Sequence, residues 1–86
     1  MYYVYAIKSV HRNYIYVGIS SNIDRRLDQH NKGQNKSTKP YLPFFLFFHE
    51  LLDSREKARE REIYFKHSSG KRLLRKLLNE YLKENS

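Results

Sequence analysis

Three polar side chains stand where the pattern of the chain asks for apolar ones. At about 100° per residue, Ile23 and Leu27 share one face of a helix starting near Asn22. His30 falls on that face and Arg26 at its edge. In a second helical stretch Ala58 and Phe65 mark the inward face, and Glu62 falls between them. A carboxylate on an inward stripe is costly unless it is paired or coordinates a cation, and a guanidinium so placed needs an anion. Two arrangements satisfy both groups. Arg26 and Glu62 can pair with each other beneath a sheet, which is how proteins tolerate buried charge. Alternatively, Glu62 offers a hard oxygen ligand to a divalent cation and Arg26 a two-pronged grip on a phosphate.

The balance of charge favours the second arrangement. Seventeen Lys and Arg stand against nine Asp and Glu, a formal charge of +8 on 86 residues. That excess suits a polyanionic partner, either nucleic acid or an anionic membrane surface. Residues 66–76 alone carry five basic residues and no acidic one, a patch able to track phosphates. The absence of cysteine removes disulfides, thiolate zinc sites and thiol catalysis. His11, His49 and His67 have no metal-ligand spacing. The longest apolar run, Phe44 to Phe48, is far short of the roughly 20 residues of a membrane span, and the start has no secretory pattern. The expectation is a soluble cytoplasmic protein with no membrane association.

These side chains need a scaffold, and 86 residues suffice for one small domain, 1–86. Leu, Ile, Val and Phe make up 23 residues, enough for a core. Tyr2 to Lys8 and Tyr14 to Ile19 read as strands of a hairpin. With Tyr5 opposite Tyr16, Tyr3 faces Gly18 and Ile7 faces Tyr14. Alternation then lines one face with tyrosines beside a glycine and leaves Val4, Ala6, Ile15 and Val17 on an aliphatic face. Ser21 and Asp24 resemble a capping box opening the first helix, which runs to about Asn31. A polar, basic loop spans residues 32–43. Phe44 to Phe48, apolar on both faces, reads as a central third strand. Asp53 or Ser54 caps a second helix to about His67, and Ser69 a third to about Glu84 with a leucine-rich stripe. The order is ββαβαα: an α+β domain with helices packed on a small three-stranded, mostly antiparallel sheet.

In this setting the chain resembles a GIY-YIG nuclease domain of the short, stand-alone bacterial type, similar to that of excision-repair nucleases. Tyr3-Val4-Tyr5 corresponds to the first signature, with Tyr in place of the leading Gly, and Tyr16-Val17-Gly18 to the second. Residues 20–31 match the segment bearing the family's arginine and helix histidine. Gly33 and Thr38-Lys39 recur in the loop that follows. Residues 54–58, with Glu62 and Lys66, match the metal-carboxylate helix. Each motif is short, but five in order span nearly the whole chain.

The resemblance implies hydrolysis of phosphodiester bonds with one divalent metal, Mg²⁺ or Mn²⁺ in its place, held by Glu62. It implies Tyr5 as activator of the attacking water, Tyr16 bonded to it or to the nucleophile, Arg26 on the phosphate, and His30 relaying a proton or touching phosphate. A phenol ionises near pH ~10, so Tyr5 as a base requires cationic neighbours, Arg26 and the metal, to lower its pKa. Gly18, where the substrate backbone can approach, and Arg25, Lys39, Lys66, Lys71 and Arg72 are the expected nucleic-acid contacts. The expected partner is nucleic acid, DNA before RNA, with a role such as DNA repair and a further protein supplying targeting. Two other readings share the fold: a binding module that no longer cuts, and a basic accessory subunit docking through Phe44 to Phe48.

Overall fold

The computed structural model describes residues 1–85. Strands β1 (Tyr2–Ser9) and β2 (Ile15–Ser20) form an antiparallel hairpin. Strand β3 (Phe44–Leu52) pairs antiparallel with the other side of β1, so the sheet order is β2-β1-β3. Helices α1 (Ile23–Asn31), α2 (Arg55–Phe65) and α3 (Ser68–Glu84) complete the ββαβαα order of an α+β fold. A short 3₁₀ turn, Lys39–Tyr41, interrupts the connection between α1 and β3.

Strand alternation separates two cores. Val4, Ala6 and Val17, flanked by Ile15 and Ile19, pack against Phe65 of α2 and Leu74 and Leu78 of α3. Tyr5 and Ile7, with Tyr14 and Tyr16, pack against Ile23 and Leu27 of α1 and Tyr41 and Leu42 of the loop. The sheet is therefore covered on both sides, and the tyrosine face belongs to α1.

The hairpin register differs from the expected one by two residues. Tyr5 lies opposite Gly18, Ile7 opposite Tyr16 and Tyr3 opposite Ser20. A shift of two leaves every side chain on its own face, so the division into faces survives it. The connection is longer than a tight turn. It is closed by the Ser9 N–H on the Tyr14 carbonyl at 2.9 Å and by the Lys8 ammonium, which donates to the carbonyls of Ser9 and Arg12 at 2.6 Å.

Strand β3 lies at the edge of the sheet, and β1 is the central strand. The run Phe44 to Phe48 is apolar on both faces because helices cover this edge strand twice. Phe44 and Leu46 join the α1 core, while Phe45 stacks on Tyr81 of α3 with centroids 5.6 Å apart. The pairing skips Phe47, since Ala6 faces Phe48 and Ile7 faces Leu46, and this bulge turns Phe47 into the α2–α3 core. With Phe44 and Phe47 buried and Phe45, Leu46 and Phe48 half-buried, the run is an element of both cores.

Helix ends follow short polar side chains. Asn22 Oδ1, not Ser21, accepts the Arg25 N–H at 3.1 Å, and Ser54 Oγ accepts the Lys57 N–H at 3.2 Å. Helix α3 opens two residues earlier than expected, at Ser68, with His67 in place of Ser69 as a cap that contributes no side-chain bond. Gly70 lets α3 press on the end of α2, because a Cβ there would collide with the Tyr64 carbonyl. Among the described residues no helix is long and apolar enough to cross a membrane.

Candidate active site

Tyr5 stands in the central strand and is 1% exposed. Its ring lies over Gly18, the directly paired residue of β2. A Cβ on Gly18 would come within 2.7 Å of the Tyr5 hydroxyl and 2.9 Å of the Tyr16 ring. The space at Gly18 is thus filled by the protein's own tyrosines, and the glycine serves to admit them rather than to open the strand to an incoming backbone.

The Tyr5 hydroxyl meets His30 Nε2 of α1 at 3.0 Å. His30, with no exposed surface, lies 4.9 Å between ring centroids from Tyr16. Tyr5 and Tyr16 are 6.3 Å apart on the same measure, diagonal rather than opposite neighbours. On its far side His30 Nδ1 meets Thr38 Oγ1 at 2.8 Å, and Thr38 is itself fully buried. Burial, reinforced by the Arg26 charge, lowers the His30 pKa from 6.5 to about 4, so the imidazole is neutral at physiological pH.

Tyr5 is where the polar groups converge. Its pKa is raised, foremost by burial and further by Tyr16 and Glu62, while Arg26 opposes the rise. Of the cationic neighbours expected to lower this phenol, Arg26 alone does not bring it below its ordinary value. Loss of solvation outweighs the nearby guanidinium, and the Tyr5 hydroxyl lies against the imidazole.

Arg26 and Glu62 do not pair. The Arg26 guanidinium donates to Gln29 Oε1 at 2.8 Å, one turn along α1. Glu62 of α2, 9% exposed, accepts from Lys66 Nζ through Oε2 at 3.1 Å. Its Oε1 is buried without a hydrogen-bond donor, and the Arg59 guanidinium stands 3.7 Å away. A buried carboxylate oxygen with no donor calls for a missing partner, water or cation. No group of three His, Cys, Asp or Glu able to hold a metal exists among the described residues. Glu62 could therefore hold a hard cation as the single protein ligand, with water and substrate oxygens completing the shell, a habit of Mg²⁺.

The expected cations divide by location. Lys66 and Lys71 line a groove of about 490 Å³ along β2, together with Tyr14, Tyr16, Leu74 and Arg75. Arg75 was not among the expected contacts, although it lies one helical turn from Lys71. Arg72 is exposed on α3 outside this lining, and Arg25 and Lys39 are exposed on α1 and on the 3₁₀ turn. Thr38 and Gln29 also went without roles. Thr38 had a signal, the Thr38-Lys39 pair after Gly33, while nothing in the sequence singles out Gln29.

The loop that carries Thr38 is fastened at both ends. Asn31 bonds both backbone groups of Phe44, donating at 3.1 Å and accepting at 2.6 Å. Buried Ser9 donates to the Tyr41 carbonyl at 2.7 Å, and Tyr41 stacks on Tyr14 with centroids 4.0 Å apart.

A tyrosine-lined hairpin, an arginine and histidine one turn apart on the first helix, and a lone carboxylate on the second are the parts of a GIY-YIG catalytic domain. The model of that family matches residues 1–77, and the chain belongs to it. It is 34% identical to a UPF0213 protein of Staphylococcus saprophyticus over 80 residues, 92% of this chain and 95% of that one. A UPF0213 protein of Streptococcus pyogenes serotype M1 is 35% identical over 65 residues, 74% of this chain and 70% of the other. The solution NMR structure of the UPF0213 protein BH0048 from Bacillus halodurans superposes with a TM-score of 0.53 at 31% identity, covering 92% of this chain and 84% of that one.

Proposed function

We propose that the protein is a metal-dependent endonuclease that hydrolyses phosphodiester bonds of nucleic acid, DNA before RNA. The observation that carries this reading is the buried Tyr5–His30 contact, set beside Arg26 and within the field of Glu62. Membership of the GIY-YIG catalytic domain family supports the reaction class.

A water oxygen attacks phosphorus, and the bond from phosphorus to the leaving oxygen breaks. The Tyr5 oxygen takes the proton of that water as its own hydroxyl proton passes to His30 Nε2. A neutral phenol is a poor base by itself, and the imidazole at 3.0 Å is the adjacent acceptor, a weak one because burial lowers its pKa to about 4. His30 holds a proton weakly, so once the bond is cut it returns it to the Tyr5 oxygen as Tyr5 releases the water's proton, which through solvent completes the hydroxyl of the leaving oxygen. Arg26, oriented by Gln29 through one nitrogen, keeps its other N–H groups for a phosphate oxygen. Glu62 would hold the cation, Mg²⁺ or Mn²⁺. When bound, that ion supplies charge neutralisation at the phosphate and at the leaving oxygen.

The basic groove beside Tyr16 provides a path for the strand through Lys66, Lys71 and Arg75. A further protein that supplies targeting, and a role such as DNA repair, belong to the same reading. The experiment is incubation of the pure protein with end-labelled single- and double-stranded DNA and RNA, with Mg²⁺, with Mn²⁺ or with EDTA. Cleavage with either metal and none in EDTA is expected. Retention of the labelled strands without cleavage under every condition would replace this reading with a binding module of the same fold.

A further inference from the structure

We infer that Thr38 is a positioning residue that fixes the tautomer of His30, and with it the direction in which the Tyr5 proton can move. The kinetic part of this inference rests on the endonuclease reading, while the tautomer itself does not.

Donors and acceptors decide the tautomer. A neutral imidazole carries one proton, so one ring nitrogen donates and the other accepts. His30 Nδ1 faces only the Thr38 hydroxyl and Nε2 only the Tyr5 hydroxyl, at 2.8 and 3.0 Å. Thr38 Oγ1 in turn lies 3.4 Å from the Asn35 carbonyl, an oxygen that can only accept. Thr38 spends its proton on that carbonyl and presents a lone pair to Nδ1. The imidazole proton therefore sits on Nδ1, and Nε2 is the open acceptor.

Tyr5 reaches the same answer from the other end. Among the groups that act on its oxygen, Arg26 can only donate, Tyr16 and Glu62 stand further off, and His30 Nε2 lies within hydrogen-bond distance, at 3.0 Å. With the proton on Nε2, the phenol would meet a donor in that neighbour and its own proton would lose the hydrogen-bonded acceptor. With Nε2 free, Tyr5 donates to His30 and keeps its lone pairs for an incoming water. Thr38 meets the ring on the side of His30 away from Tyr5, so it acts on Tyr5 through His30.

The loop geometry explains why a threonine carries this task. The Asn35 carbonyl also accepts the N–H groups of Thr38 and Lys39, at 3.2 and 2.9 Å, in a turn that holds the hydroxyl against that oxygen. Serine can make the same pair of bonds, whereas valine keeps the shape and loses the lone pair.

The test uses the full chain labelled with ¹⁵N. Long-range proton–nitrogen NMR correlations of the His30 ring report which nitrogen carries the proton, and single-turnover cleavage is measured beside equilibrium binding. In the wild type and in Thr38→Ser the proton is expected on Nδ1. In Thr38→Val it should redistribute towards Nε2, with cleavage falling about 10–100-fold, the usual cost of losing a partner that orients a working histidine. Binding should stay within about twofold, because a residue that acts only on the chemical step leaves ground-state affinity alone. A wild-type proton on Nε2 overturns the inference, and so does a folded Thr38→Val with the wild-type tautomer and rate. If Thr38→Val does not fold, the wild-type tautomer and its retention in Thr38→Ser decide. If the wild type cuts no nucleic acid, the endonuclease reading falls and the NMR comparison still judges Thr38.

Discussion

The ring of Tyr5 occupies the space that a side chain on Gly18 would need, with the hydroxyl 2.7 Å from where a Cβ would sit. The two residues face each other across the hairpin, so the glycine sets how deep the phenol lies. Gly18→Ala should displace Tyr5 from His30 or strain the strand, costing roughly 1–3 kcal/mol as overpacking does. Thermal melting together with the cleavage rate checks this. An alanine variant with wild-type stability and rate would mean that the close approach is without consequence.

Stability should fall on acidification because of His30. Its pKa is about 4 in the fold against 6.5 in the unfolded chain. Between these values the unfolded chain binds a proton that the folded chain refuses. The contribution is therefore complete above pH 6.5 and is lost as the pH falls towards about 4, at roughly 1.4 kcal/mol per pH unit. Urea unfolding at about pH 7 and about pH 5 measures the slope. His30→Gln should flatten it, and an unchanged slope would assign the acid sensitivity to other groups.

The inward placement of Arg26, His30 and Glu62 was legible in the sequence because helical periodicity exposes any polar residue on an apolar face. Strand alternation likewise separated the tyrosine face from the aliphatic one. The hairpin register was not legible, since a slip of two residues preserves that pattern, and only the loop latch and the Tyr5–Gly18 contact select one register. The position of β3 misled for a related reason: an edge strand covered on both faces is as apolar as a central one. The direction of the Tyr5 pKa depends on burial, which composition does not encode. Thr38 sits eight residues after His30, and only the folded loop brings their polar atoms to 2.8 Å.

Glu62 gives a test of the cation apart from catalysis. Its Oε1 is buried without a hydrogen-bond donor, although Lys66 holds the other oxygen and Arg59 stands 3.7 Å away. Glu62→Gln should melt at the same temperature or higher than the wild type in EDTA. Millimolar Mg²⁺ should raise the melting temperature of the wild type by mass action and leave the variant unmoved. Equal responses of the two proteins to Mg²⁺ would remove Glu62 as the ligand.

The groove along β2 predicts which cations carry the salt dependence of binding. Each phosphate contact contributes about −0.9 to the slope of log K against log salt on duplex DNA. Lys71→Ala and Arg75→Ala should each make the slope shallower by about that amount. Arg72→Ala, outside the groove lining, should leave it unchanged. A slope that responds to Arg72 and not to Arg75 would move the strand to another face of α3.

Tyr5→Phe tests the account most directly, because it removes one oxygen and keeps the ring over Gly18. Single-turnover cleavage of labelled DNA in Mg²⁺ is compared with the wild type, with equilibrium binding and thermal melting alongside. The hydroxyl is 3.0 Å from His30 Nε2, so the variant should lose about 1–3 kcal/mol of stability for a buried acceptor left unpaired. Cleavage should fall by roughly 10²–10⁴, the range for a positioned acid–base group, while binding changes little. A folded Tyr5→Phe that cuts at the wild-type rate would contradict the account.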